Sequence, residues 1–163
     1  MAEKKRTTAE RGKFKKEIHA ALYKSLDLRD LLLGDTSGMS AKEIRDSFKD
    51  HVKSHLFIDD TLTEEASFIF YDVRFPSIHT QVKHCTVVMY LICHRSILED
   101  YHKEGYYGDR SDIMCQMVEN ALINDAAVAN SFGIGQLSLT SVDIYNSNRF
   151  YGSIMIFEVP NFR

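Results

Sequence analysis

The sequence predicts an α+β fold, in which an antiparallel four-stranded sheet carries helices packed on one face. Three observations predict it. Apolar residues recur at helical spacing through the first third of the chain. Four later segments are rich in aromatic and β-branched residues and are separated by turn-forming residues. A further helical pattern lies between the second and third of these segments, so two hairpins flank a helix, and a sheet covered by helices on one face is the simplest outcome.

The first helix is predicted over residues 8–26. Thr7 and Glu10 have the spacing of a capping box, in which the first turn of a helix satisfies its own free N–H groups. Apolar residues follow at helical spacing, and the opposite face is rich in lysine and arginine. The apolar stretch 26–33 adds a further turn or two, and the turn-forming residues 34–38 then end it.

A second helix is predicted over residues 40–54. Ser40 and Glu43 form another capping box, and apolar residues recur behind it with a period of four. The polar segment 59–66 then connects the helices to the sheet.

The first hairpin joins a strand over residues 67–75 to a strand over residues 82–94, through a loop at 76–81. The first of these strands is rich in aromatic and β-branched residues. In the second, residues 87–93 are apolar without alternation. Such a run is typical of a central strand that is covered on both faces.

The helix between the hairpins is predicted over residues 111–126, with Asp109 or Ser111 as its N-cap. The third strand covers residues 136–146. Its apolar residues change phase part of the way along, which predicts a bulge near residues 140–141.

The last strand follows a hairpin loop at residues 146–149 and is apolar on both sides. One side presents three residues that are predicted to pack on the helices: Tyr151, Met155 and Phe157. The other side presents Ile154 and Ile156, which no element of the chain obviously covers, so a neighbouring subunit is the predicted cover. Pro160 is expected to end the ladder and to leave Phe162 free to dock on another surface.

Length and composition predict a single domain over residues 1–163. Its parts are a flexible basic arm (1–7), helices (8–60) and a ββαββ core (67–162). The chain is 44% hydrophobic and 26% charged, which is ordinary for a globular protein. Its longest apolar run is too short to span a membrane, and the charged N-terminus does not have the pattern of a signal peptide.

Charge is distributed unevenly along the chain. The net charge is −3, yet residues 1–20 hold seven basic residues against three glutamates, which leaves 13 basic and 20 acidic residues in the remainder. A basic arm on an acidic body could contact nucleic acid or an acidic partner. The alternative is a solvated face of the first helix.

No metal or cofactor site is predicted. His51 and His55 share one helix face, but two imidazoles are only half of a zinc site. The glycines at 133–135 resemble part of a dinucleotide-binding loop, but they follow a helix and precede a strand, which is the reverse of that motif.

No catalytic residue is predicted either. The three cysteines, Cys85, Cys93 and Cys115, suggest no disulfide framework. A small enzyme using His84 or His94 with a neighbouring cysteine remains an alternative. Adjacent residues on a strand point to opposite faces, so His84 with Cys85, and His94 with Cys93, are poorly placed to act as a catalytic pair.

Residues 106–110 form the most prominent candidate contact. Four of these residues stand immediately before a predicted helix: Tyr106, Tyr107, Asp109 and Arg110. Tyrosine and arginine are among the side chains most enriched in interface hot spots. The alternative is an internal role, in which the rings seal a loop and Asp109 caps the helix.

The C-terminal half of the chain, about residues 67–162, resembles a phage protein family. The stretches that carry the resemblance are YGDRSDI (107–113), GIGQL (133–137), FYG (150–152) and FEVPNF (157–162). In this order they are similar to the pattern of the tail terminator and tail-to-head joining proteins of long-tailed bacteriophages, also called tail completion or minor tail proteins.

The resemblance implies a structural role rather than catalysis. Such proteins form six-fold rings in the neck of the virion, end the tail tube and face the head connector, while DNA passes through the lumen without specific binding. The implied partners are copies of the chain, the tail tube protein and a head-completion or connector protein, with no cofactor and no membrane. The alternatives are a small cytoplasmic α+β enzyme, a regulatory domain or a nucleic-acid-binding module that uses the basic arm.

Overall fold

The structure, a computed structural model, describes residues 7–78, 83–124 and 137–162. The arm up to residue 6, part of the loop of the first hairpin and the glycines at 133–135 lie outside these residues. The described helices are α1 (Thr7–Lys24), α2 (Leu26–Leu33), α3 (Ala41–His51) and α4 (Arg110–Glu119). The described strands are β1 (Val52–Lys53), β2 (Ser67–Ile78), β3 (Lys83–His94), β4 (Ser138–Asn146) and β5 (Phe150–Phe162). None of these helices is long and apolar enough to cross a membrane.

Local side-chain bonds set the boundaries of the helices. The Ser25 hydroxyl accepts the N–H of Leu28 at 3.2 Å and so caps the start of α2. This cap makes α2 a separate helix from α1. The Ser40 hydroxyl accepts the N–H of Glu43 at 3.2 Å and begins α3 in the same way. Gly34 ends α2 with a φ of 70°, a conformation that favours glycine. A 3₁₀ turn follows β3, and a π-helical turn extends α4.

The α+β class is confirmed, but the prediction of four strands is wrong. The sheet has five strands in the order β1-β2-β3-β5-β4. The added strand is β1, which leaves α3 directly and pairs in parallel with β2, Val52 opposite Ile69. A strand of two residues shows no alternation, so the sequence pattern does not reveal it. The other pairings are antiparallel, and the β2–β3 and β4–β5 hairpins flank α4 as predicted.

Three irregularities in strand register shape the sheet. The bulge predicted at residues 140–141 is confirmed, because the register shifts between Leu139 and Ser141. Two further shifts occur where β2 contains Pro76 and β5 contains Pro160. A bulge leaves one residue unpaired, so the missing N–H of proline costs no ladder bond there. The prediction that Pro160 ends the ladder is therefore wrong, since β5 continues for two more residues.

The main hydrophobic core lies between the helices and one face of the sheet. Its helical members include Ile18, Leu22, Leu28, Phe48, Met114 and Val118. Its strand members include Tyr71, Val87, Met89, Leu91, Met155 and Phe157. Met155 and Phe157 thus face the helices as predicted, and Tyr151 is half-buried.

A second, smaller core covers part of the opposite face of the sheet. It is formed by Phe68, Phe70, Ile92 and Phe150. The segment between β1 and β2 supplies its cover through Leu56, Ile58, Leu62 and Ala66. The sequence predicts only a polar connector here, yet the segment shields one end of the face for which a neighbouring subunit is the predicted cover.

Candidate assembly surfaces

Residues 106–110, predicted as a subunit contact, run into the N-terminus of α4, and Asp109 caps that helix. The Asp109 carboxylate accepts the N–H of Asp112 at 3.0 Å and the hydroxyl of Ser111 at 2.6 Å. In return, the Asp112 carboxylate accepts the N–H of Asp109 at 3.0 Å, which completes a capping box. Gly108 precedes it with a φ of 97°, and a Cβ there would press on the Asp112 side chain. Asp109 is therefore engaged within its own subunit.

Arg110 fastens the start of α4 to two other segments. Its Nε donates to the carbonyl of Ile97 at 3.1 Å, and its Nη1 donates to the carbonyl of Leu31 in α2 at 3.3 Å. The guanidinium also lies 5.0 Å from the centre of the Tyr101 ring. These contacts are internal, and the side chain is half-buried.

Two tyrosines tie the segment before α4 to α2. The Tyr106 hydroxyl donates to the Asp27 carboxylate at 2.7 Å, and burial together with this bond raises the pKa of Tyr106. The Tyr101 hydroxyl donates to Asp30 at 3.2 Å. Lys103 links both carboxylates, with its Nζ 3.4 Å from Asp27 and 3.7 Å from Asp30. The tyrosines therefore seal a loop of the subunit.

Tyr107 differs from its neighbours because its side chain is 79% exposed. Its backbone is held at both ends: the N–H donates to the Gln116 side chain at 3.2 Å, and the carbonyl accepts from the Gln116 amide at 2.6 Å. The chain thus holds the residue in place while the ring faces solvent. Among the four residues predicted in this loop, Tyr107 has the side chain that another molecule can reach.

Ile154 and Ile156 lie on the second face of the sheet, beside the second core. In register, Ile154 stands between Tyr90 of β3 and Asp143 of β4. Both isoleucines are half-buried, and neither belongs to the main or the second core. Phe162 is the last residue of β5, and its side chain lies outside the described residues. The predicted contact of Ile154, Ile156 and Phe162 with another subunit stays a prediction.

β4 is an edge strand with exposed apolar side chains for which the sequence predicts no contact. Val142 is 57% exposed and Ile144 is 64% exposed. Val142 pairs with the buried Met155, so the two exposed side chains continue the helix side of the sheet beyond the helix layer. No described strand pairs with the outer side of β4. The phase change after the bulge was visible in the sequence, but the extent of the helix layer was not.

In the part of the chain that the structure describes, His84 and His94 are not paired with the neighbouring cysteines. Burial raises the pKa of the Cys85 and Cys93 thiols to about 12 and that of Cys115 to about 11. Such thiols are protonated at neutral pH, whereas the nucleophile is the thiolate. Strand alternation places His84 and His94 on the other face from Cys85 and Cys93. Within the described ranges, no group of three or more histidine, cysteine or acidic side chains could hold a metal ion.

Comparison with known protein families adds a finding that is independent of this geometry. The family model described as YomW matches residues 16–159. The matched range contains α2, α3, α4 and β1 to β4 in full, together with the C-terminal half of α1 and most of β5. No curated protein matches the chain.

Proposed function

Because the chain belongs to the YomW family, a phage-related family, we propose that it is a structural protein of the phage neck. In this proposal, copies of the chain form a ring, six-fold by resemblance to tail terminators, that ends the tail tube and joins the tail to the head connector. Its partners are other copies of the chain, the tail tube protein and a head-completion or connector protein. It is assembled in the host cytoplasm and remains in the virion, with DNA passing through the lumen.

The exposed edge of β4 carries the proposal. A closed ring requires head-to-tail contacts, in which two different surfaces of each subunit meet. An edge strand offers a row of backbone N–H and C=O groups to another chain. Val142 and Ile144 add exposed apolar surface beside that row. One backbone N–H group of β4 already has a partner within the strand, because the Asp143 carboxylate accepts the N–H of Ile144 at 2.7 Å.

A second surface for such a contact is available elsewhere on the subunit. The Tyr107 ring is exposed on a backbone that Gln116 holds fixed. A ring presented in this way loses little conformational freedom on binding, which is a reason that tyrosine is common at interface hot spots. Ile154 and Ile156 supply further half-buried apolar surface on the other side of the sheet.

The edge variant Ile144→Lys tests the proposal. We expect the wild-type chain to form rings, alone or with tail tube protein, as seen by light scattering and negative-stain imaging. Ile144→Lys should remain monomeric, because it places a charge on the contact surface. Its free energy of unfolding should stay within about 0.5 kcal/mol of wild type, since the side chain is exposed in the monomer.

Leu26→Lys is the matched control. Leu26 is 71% exposed and lies at the start of α2, away from the sheet edge. This variant should assemble like wild type. A wild-type chain that stays monomeric and never associates with a tube or connector would contradict the proposed function. Equal loss of assembly in both variants would show that the contact between subunits does not lie at β4.

A further inference from the structure

A basic groove runs between α1, α3 and β1, on the helical part of the molecule. Its volume is about 820 Å³. Five cationic side chains line it: Lys15, Lys16, Arg45, Lys49 and Lys53. None of the described residues that line it is a carboxylate, although the chain as a whole is net acidic. The groove is therefore a local concentration of positive charge on an acidic molecule.

The cations of the groove differ in whether they already have a partner within the chain. Lys15 is committed, because its Nζ lies 2.9 Å from the Asp72 carboxylate and also donates to a backbone carbonyl. Lys16, Arg45 and Lys49 are exposed, and no described carboxylate lies within salt-bridge distance of them. Arg45 and Lys49 are one turn apart on α3, so they share one face of that helix. Uncompensated charge therefore remains on both walls of the groove.

The ionisation of His19, which also lines the groove, reflects this field. Burial is the first cause that lowers the pKa of His19, and the charge of Lys49 is the second. The rings of His19, Tyr23 and His55 lie among the cations along the groove. Cations interleaved with rings are typical of surfaces that bind single-stranded nucleic acid.

We propose that this groove binds the phosphate backbone of a nucleic acid. A nucleic acid strand carries a negative charge on every nucleotide, which matches several cations crowded into one groove. An acidic peptide in the same space would need a carboxylate at nearly every residue. The groove offers phosphate contacts and stacking surfaces without a base-reading motif, so binding is independent of sequence. The inference does not depend on ring formation, and it assigns a surface that the proposed neck function leaves unused.

Fluorescence anisotropy with labelled oligonucleotides of about 20 nucleotides, single-stranded and duplex, tests the groove. The groove variant is Arg45→Gln with Lys49→Gln. It should bind at least about tenfold more weakly at low salt, and the slope of log affinity against log salt should become shallower by about two. Lys16→Gln, on the opposite wall, should make the slope shallower by about one.

Lys13→Gln with Lys42→Gln is the matched control. These lysines are exposed on the same two helices and do not line the groove, so the change in net charge is the same. The control should bind within about threefold of wild type. Failure of the wild-type chain to bind either oligonucleotide at low salt, or equal losses in the groove and control variants, would overturn the inference. Binding to polyglutamate but not to the oligonucleotides would assign the groove to an acidic protein segment instead. Because ring formation is measured separately by mass, these outcomes leave the proposed neck function untouched.

Discussion

Gly152 is the residue whose identity the structure restricts most directly. It lies in β5, between β3 and β4, opposite Ile92 and Tyr145. A Cβ at this position would overlap the backbone carbonyl oxygen of Leu91 and lie 2.9 Å from the Cα of Ile92. Both obstacles are backbone atoms of a strand that is paired on both sides, so they cannot move aside without disturbing the ladder.

We therefore expect Gly152→Ala to lower the free energy of unfolding by about 3 kcal/mol, the upper part of the range for over-packing. Gly12→Ala is the control, because Gly12 lies within α1 and a Cβ there meets nothing within 4 Å. That change should raise the free energy of unfolding by about 0.5–1 kcal/mol, since alanine restricts the unfolded chain. Urea denaturation measures both. A Gly152→Ala variant as stable as wild type would show that β3 and β5 can separate at this point.

At the scale of elements, the segment between the first hairpin and α4 is attached to the helix layer by polar bonds. Arg110 donates to Ile97 and Leu31, and Tyr106 donates to Asp27. Arg110→Glu should therefore lower the free energy of unfolding by about 2–3 kcal/mol, the magnitude expected when charged donors are removed from their acceptors.

Tyr107→Ser is the contrasting change in the same loop, because its ring is exposed. It should leave the thermal unfolding midpoint unchanged. If Arg110→Glu instead melts like wild type and only fails to assemble, Arg110 acts mainly between subunits. Thermal unfolding followed by circular dichroism, together with light scattering, separates the two results.

The elements with strong local signals were predictable from the sequence. Ser40 began a helix because its hydroxyl accepts a bond from the third residue of that helix, and the bulge of β4 followed from a change of apolar phase. The pairing of β1 depends on the position at which α3 ends relative to β2, and no local sequence pattern shows that position. The internal bonds of Arg110 reach 13 and 79 residues back along the chain, so they were equally invisible.

At the scale of the whole molecule, the sheet is covered unequally on its two faces. The helices cover one face, and the segment before β2 covers one end of the other. Among the described residues, the edge at β4 with Val142 and Ile144 remains exposed, and Ile154 and Ile156 remain half-buried on the opposite face of β5. One side of β5 is thus covered within one chain through Met155 and Phe157, whereas Ile154 and Ile156 on its other side belong to neither core. Contact of this part of the sheet with a neighbouring subunit stays a prediction.

The stability of the molecule should depend on pH through His19. Burial and the charge of Lys49 hold its folded-state pKa below the ordinary value of 6.5. Above pH 6.5, both the folded and unfolded chains carry a neutral His19. As the pH falls below 6.5, the unfolded chain takes up a proton before the folded chain does, so the free energy of unfolding decreases. Below the folded-state pKa both states are protonated, and this loss becomes constant.

Urea denaturation between about pH 7 and pH 5, compared in wild type and His19→Gln, measures that contribution. The variant should lose less stability over this range. Lys49→Gln should raise the His19 pKa towards its ordinary value, as followed by NMR titration of the imidazole, because it removes the second cause and leaves burial. Lys42→Gln, a change on the exposed side of the same helix, should have a smaller effect on that pKa. Identical pH dependence in wild type and His19→Gln would place the acid sensitivity elsewhere in the chain.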